Sequence, residues 1–362
     1  MVGAERRNVG NFYRSVSCTT HGARTFRQRA IGFVTASQPE KWMEASSDFD
    51  EALWLILDEI SVSVFDASTE SKMLEMLAES ISSFVGENFR GGYVLLKTST
   101  AGDRSSSHEV STSLLDHILR HTSRLVPAGS IIIADGPANS IPYESECKRL
   151  GWQDLIGDLG VAVVDLNVGP AREVVANWPV SSCYLDADLV INLTKAKTHR
   201  RFGVSLAEKS LLGTLSGGSL GYPKLKGRHA LTTWLLRHIY ASSPPILSII
   251  DGINGIEGEG PLAGIPTKSH FLAYGVGCLA PDLRATIEMG FDPALVPLFH
   301  RPLKPSSRLL QPDWKNLRRT DVDFLPSASS SWLYHSLRRS RRREIIYQRL
   351  MKGAQECWPA AT

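Results

Sequence analysis

Cysteine is scarce and scattered in this chain. Its five cysteines, Cys18, Cys147, Cys183, Cys278 and Cys357, include no Cys-x-x-Cys pair. That spacing encodes neither a local zinc site nor a ferredoxin-type iron–sulfur cluster. An odd, dispersed set fits a reducing compartment and buried thiols. Long apolar runs are missing as well. Nothing approaches the ~18 residues of a membrane span, and no apolar core follows the basic start as in a secretory signal. A Gly-x-Ser-x-Gly elbow, a Walker A loop and a His-Glu-x-x-His helix are also absent, which removes the usual signatures of serine hydrolases, nucleoside triphosphatases and zinc hydrolases. The stretch Gly258 to Gly264 is not a dinucleotide fingerprint: its glycine spacing is off by one, Pro261 intervenes, and no helix opens there.

Acidic residues are missing from Arg6 to Pro39, where Arg and Ser are frequent. Organelle transit peptides share that composition, and so do frayed basic leaders. The expected location is cytoplasmic, or organellar if the leader is a transit peptide. The net charge of +3 conceals an uneven distribution. Residues 1–40 carry six basic and two acidic side chains, residues 301–362 carry 13 and five, and residues 41–300 sum to −9. An acidic body with basic ends argues against nucleic-acid binding over the whole surface. The basic run Arg338 to Arg343 reads as a solvated face. Hydrophobic residues make up 43% and charged residues 21%, as in soluble globular proteins.

What is present is an alternation of helical and strand patterns. Residues 48–89 read as helical, with apolar spacing around Leu53 to Val64 and again from Met73 to Phe84. Strands are expected at residues 29–36, 91–97, 131–134, 161–165, 190–193, 246–251 and 271–274. Helices are expected at residues 114–125, 144–156, 231–240 and 282–290, with Gly252 to Gly264 as a long loop. The expected fold class is α/β: a mostly parallel sheet flanked by helices, as one body or two lobes, with a basic C-terminal helical tail. The expected division is a basic, unstructured leader over 1–28, an α/β domain over 29–300, and an extension over 301–362 with a helix from Trp332 to Met351.

The stretch Asp186 to Gly218 organises the rest. Val190, Ile191 and Leu193 form a short apolar run, the pattern of a central parallel strand. If extended geometry continues, Lys195, Lys197 and His199 point to one face, beyond the carboxyl end of a strand, where open α/β sheets bind ligands. Ser205 and Glu208 have capping-box spacing for a following helix. Lys209 then falls in its first turn, where the macrodipole disfavours a cation. It is either a solvated charge or a group awaiting an anion. Lys97 ends the strand at 91–97. Asp251 ends another strand beside a glycine and is a ligand carboxylate or a loop cap; Asp135, before Gly136-Pro137, poses the same choice with a weaker case. Glu257 sits in a glycine-held loop. His199 and His229 are metal-ligand candidates or ordinary hydrogen-bonding histidines.

The run Asp188-Leu-Val-Ile-Asn-Leu-Thr-Lys-Ala-Lys-Thr-His199, continuing Gly203-Val-Ser-Leu-Ala-Glu-Lys-Ser-Leu-Leu-Gly213, resembles the signature D-x-V-I-N-x-P-K-x-K-T-H … G-V-T-x-A-x-K-N-x-x-G of the DUF362 family. A second block, Ile250-Asp-Gly-Ile through Glu257-Gly-Glu-Gly-Pro-Leu-Ala-Gly-Ile-Pro266, then Asp282 and Met289-Gly-Phe-Asp-Pro293, matches as well, so the resemblance covers roughly residues 90–300. Lys97-Thr-Ser replaces the family's Lys-Pro-Asn, Thr194 its proline, and Ser210 its asparagine. Some members carry ferredoxin-type cysteine clusters. This chain resembles a cluster-free member, which implies no iron–sulfur cluster and argues against electron transfer. A more distant likeness, the order His199, Lys209, His229, is to the nickel-pincer lactate racemase family, where the lysine anchors the cofactor and the histidines are acid/base and metal ligand.

Together these readings lead to an expectation: a soluble enzyme acting on a small anionic organic molecule by proton-transfer chemistry, such as isomerisation, cyclisation or racemisation, with a place in specialised metabolism. Lys97, Lys195, Lys197, Asp251 and Glu257 would bind the substrate, and His199 and Lys209 would be catalytic. The alternatives are a non-catalytic binding or accessory protein using the same pocket, and a metal- or nickel-pincer-dependent enzyme with His199 and His229 as ligands. The cofactor is open, a divalent metal among the options. The expected partner is a small anion, with no nucleic acid and no membrane span.

Overall fold

A computed structural model describes residues 61–64, 70–100, 108–137, 141–175, 178–217, 229–293, 296–299 and 324–325. All of them lie in the compact unit formed by residues 45–362. The expected leader strand and the tail helix fall outside the described residues.

In chain order the elements are β1 (Ser61–Val64), α1 (Glu70–Asn88), β2 (Val94–Lys97), α2 (Thr112–Thr122), β3 (Ile131–Asp135), α3 (Tyr143–Arg149), α4 (Gln153–Asp158), β4 (Ala162–Asp165), β5 (Ala171–Val175), β6 (Trp178–Ser181), α5 (Ser182–Leu185), β7 (Leu189–His199), β8 (Gly203–Ser205), α6 (Ala207–Ser210), α7 (His229–Ser242), β9 (Ile246–Glu259), β10 (Ala263–Val276) and α8 (Leu279–Glu288). The main sheet runs β1-β10-β9-β7-β2-β3-β4, with β8 hung on β7, and β5 and β6 form a separate hairpin. The four central pairings, β3–β4, β2–β3, β2–β7 and β7–β9, are parallel, while β9–β10, β1–β10 and β7–β8 are antiparallel. The fold is therefore α/β with a mostly parallel sheet, as the alternation predicts.

Two apolar layers explain why. On β7, Leu189, Ile191 and Leu193 pack on one face with Leu77, Ile81 and Phe84 of α1 and Leu115 and Ile118 of α2. Val190 and Ala196 pack on the other face with Leu235 and Ile239 of α7 and Leu283 of α8. A strand buried on both faces needs a continuous apolar run, and β2 and β3 supply one each. Burying each such leucine or isoleucine contributes about 2 kcal/mol.

Three expectations are corrected. Ser61–Val64 is a strand on β10 rather than helix; tertiary pairing overrides the apolar spacing there, and its Ser-Val-Ser-Val run also fits strand alternation. The helix expected over 144–156 is two short ones, α3 and α4, broken between Arg149 and Gln153. The expected loop from Gly252 to Gly264 is mostly β9–β10 ladder. Its glycines are strand residues making room for rings: a Cβ at Gly252 would lie 2.4 Å from the Phe271 ring, and one at Gly255 would lie 2.2 Å from that of Phe324.

Candidate functional site

The chain leaves β2 toward β3 and β4, then returns to place β7 on the opposite side of β2. Strand order reverses at that boundary, and the crevice beyond the carboxyl ends there is where open α/β sheets bind ligands. Four lysines meet at this place.

Lys97, the last residue of β2, is fully buried. Its Nζ donates to Asp135 Oδ1 at 3.0 Å and to the Thr98 carbonyl at 2.7 Å. Asp135 ends β3, and its Oδ2 accepts the Thr100 N–H at 2.6 Å and the Thr100 hydroxyl at 2.8 Å. Gly213 closes over this pair. A Cβ there would stand 2.6 Å from Asp135 Oδ1 and 3.1 Å from Lys97 Nζ, so no other residue fits without displacing them.

Lys195 and Lys197 follow the Leu189–Ile191–Leu193 face of β7, by the period-two alternation of a strand. Lys195 Nζ lies 3.0 Å from Asp251 Oδ2, which also accepts the Ser111 N–H, while Oδ1 accepts the N–H of Ile253. The β7–β9 register breaks after the Lys195–Asp251 pair and resumes at Lys197 opposite Ile256. Between those two pairs β7 has one residue and β9 has four, 252–255, so β9 bulges out of the ladder there. Lys197 Nζ stands 3.6 Å from Glu109 Oε2, a looser contact, and Arg149 reaches Glu109 at 4.0 Å while pairing with Glu146 at 2.8 Å. Burial lowers the Lys197 pKa; Glu109 opposes the shift and Lys195 adds to it.

Lys209 differs from the other three. It sits in α6, which is only four residues long and is held at its start by the Asp282 carboxylate of α8, accepting the N–H groups of Ala207 and Glu208 at 2.7 and 2.8 Å. Lys209 is half-buried and, among the described residues, its side chain forms no hydrogen bond or ion pair. Its pKa is pushed down to about 8 by burial, then by the charges of Lys197 and Lys97, against the opposing charge of Asp135.

Ser205 does not cap this helix. It belongs to β8, paired with Lys197 across the ladder, and the capping falls to Asp282. Glu208 points into the protein instead of completing a capping box. It is buried, its Oε2 has no hydrogen-bond partner among the described residues, and burial raises its pKa to about 7 against the charge of Arg237.

The structure thus brings together Lys97, Lys195, Lys197, Lys209 and Asp251 of the residues expected from sequence. The described contacts of the others point elsewhere. His199 ends β7, and its Nδ1 accepts the N–H groups of Arg201 and Phe202 at 3.0 and 3.2 Å, so that nitrogen serves the following turn. Glu257 Oε2 accepts the N–H of Leu325 at 2.9 Å. His229 opens α7 and its side chain lies outside the described residues. Among the described residues no three His, Cys, Asp or Glu side chains gather as a metal shell. Cys147, Cys183 and Cys278 are buried free thiols, the first two pushed up to about 12 and about 11 by burial.

Sequence reasoning ranked Asp135 too low and missed Glu109 and Thr100. Asp135 carried a usable signal, since it ends a strand directly before Gly136-Pro137, as Asp251 does before Gly252. Glu109 carried none: a carboxylate 88 residues before Lys197 meets it only in three dimensions.

The cluster spans the segment to which a family model fits. The model described as "Domain of unknown function (DUF362)" matches residues 94–286, more than half of the chain. The chain belongs to the DUF362 family. Within the DUF362 segment lie all four lysines, their three carboxylates and the Asp282 cap. One curated relative, the thylakoid-associated protein sll1697 of Synechocystis sp., is 27% identical over 174 residues, which cover 47% of this chain. The match spans 54% of that relative, so the chain covers about half the length of the curated relative it matches. No helix among the described residues is long and apolar enough to cross a membrane.

Proposed function

We propose that the crevice at the β2–β7 boundary binds a small organic anion and promotes proton transfer on it. The observation that carries this reading is Lys209. Three lysines in the cluster have carboxylate partners at 3.0 to 3.6 Å; the fourth is a half-buried ammonium with cations for neighbours and, among the described residues, no counter-charge in contact. An incoming carboxylate or phosphate supplies that charge. An amine whose pKa lies near 8 also exchanges protons close to neutral pH, which suits it to acid/base work. The anion would lie against Lys209 and Lys197, where negative charge developing at the reacting carbon is stabilised by ammonium groups already in place. Lys209 takes over the acid/base role that the sequence alone suggested for His199.

The test uses malonate, pyruvate and inorganic phosphate as probes. At least one should raise the melting temperature of the protein and not that of the Lys209→Ala variant. In deuterium oxide, the carbon-bound hydrogens of a binding carboxylate should exchange faster with protein present, as read by NMR. No Lys209-dependent shift with any anion would refute the site. Binding without exchange would favour a second reading, a non-catalytic binding protein, which draws support from the number of cluster lysines already neutralised by their own carboxylates.

A further inference from the structure

The lysine cluster sorts its four amines into two kinds, and the difference points to a substrate class. Lys97, Lys195 and Lys197 are buried at 3% exposure or less and each faces a carboxylate. The ammonium groups of Lys97 and Lys195 are committed at 3.0 Å, and that of Lys197, at 3.6 Å, is held more loosely. Lys209 is half-buried, is held in a helix anchored by Asp282, and its side chain has no hydrogen bond or ion pair among the described residues. A neutral amine in such a place has a free lone pair and a fixed origin.

We propose that Lys209 forms an imine with the carbonyl carbon of a small 2-oxo acid, whose carboxylate is drawn to the ammonium group of Lys197, the most loosely paired of the other three. This rests on the anion-site reading and narrows it. The chemistry balances without an oxidant or a metal. The Nζ lone pair adds to the carbonyl carbon, and the carbon–oxygen π pair moves to oxygen, giving a carbinolamine. The carbon–oxygen bond then breaks, the oxygen leaves as water with the two hydrogens lost from Nζ, and the imine takes up one proton. A cationic surround favours the neutral amine that must attack, a recognised way of activating a lysine, and it accords with the Lys209 pKa near 8. The resulting iminium draws electrons from the adjacent carbon–hydrogen bond. That links covalent capture to the proton transfer proposed above.

The experiment is reductive trapping. Full-length protein is incubated with pyruvate and cyanoborohydride at pH 8, then digested and mapped by mass spectrometry. The expected result is one reduced pyruvyl adduct per chain, on Lys209, suppressed by excess malonate. Adducts spread over exposed lysines such as Lys72 and Lys148, or none on Lys209, would overturn the imine. Malonate-induced thermal shifts on the same preparation separate the two failures. A Lys209-dependent shift without an adduct removes the imine and leaves the anion site; no shift and no adduct removes both.

Discussion

A buried lysine loses several kcal/mol of hydration unless a carboxylate meets it, and Lys97, Lys195 and Lys197 each have one within 3.0 to 3.6 Å. Lys209 does not, among the described residues, and its behaviour with pH should show it. Its folded pKa, near 8, lies below the ordinary 10.5. Between those values the unfolded chain binds more protons than the folded one, so stability rises with pH across that window. Replacing Lys209 by Met should remove that rise and stabilise the anion-free protein at pH 7 by about 1–3 kcal/mol, partial exposure reducing the full effect. Urea melts at pH 7 and pH 10.5 would measure both; a variant less stable than wild type at pH 7 would contradict the electrostatic account. Anion-induced stabilisation of the wild type should weaken as pH passes 8, because the deprotonated amine no longer attracts the anion.

At the scale of elements, α6 shows how a site is held by something remote. A four-residue helix has too few internal hydrogen bonds to persist alone, and its amides are fixed by Asp282 on α8. Asp282→Ala should cost at least about 1–2 kcal/mol for the lost cap and shrink the malonate-induced shift, because Lys209 is then no longer held in place. Equal stability with an unchanged shift would show that α6 needs no such anchor. Local pattern named Ser205 for this task, and the spacing to Glu208 was right; β8 pairing and the burial of Glu208 defeated it. The β9–β10 hairpin teaches the same lesson in reverse. Its glycines read as loop because glycine ends strands, whereas here they admit Phe271 and Phe324.

On the whole molecule, the strap at Phe324 and Leu325 ties a late part of the chain to β9 and to the end of α8. Phe324 donates its N–H to the Met289 carbonyl, Leu325 receives the N–H of Gly258 and gives its own to Glu257, and the Phe324 ring fills the space over Gly255. Phe324→Ala should destabilise the protein by about 3–5 kcal/mol through the cavity it opens, measurable by urea denaturation; a loss below about 1 kcal/mol would mean the strap is peripheral. Read without coordinates, the chain already shows the α/β class, most of the central strands, the place of the lysine-bearing segment and the DUF362 likeness. These follow from local patterns: buried parallel strands need continuous apolar runs, and their carboxyl ends collect polar side chains. Which charges meet depends on the packing of distant segments. Asp135, Glu109 and Asp251 reach their lysines across 38, 88 and 56 residues of chain, at distances set by strand order and a β-bulge. The same packing engaged His199 Nδ1 in its own turn and left the Lys209 side chain without a carboxylate in contact among the described residues.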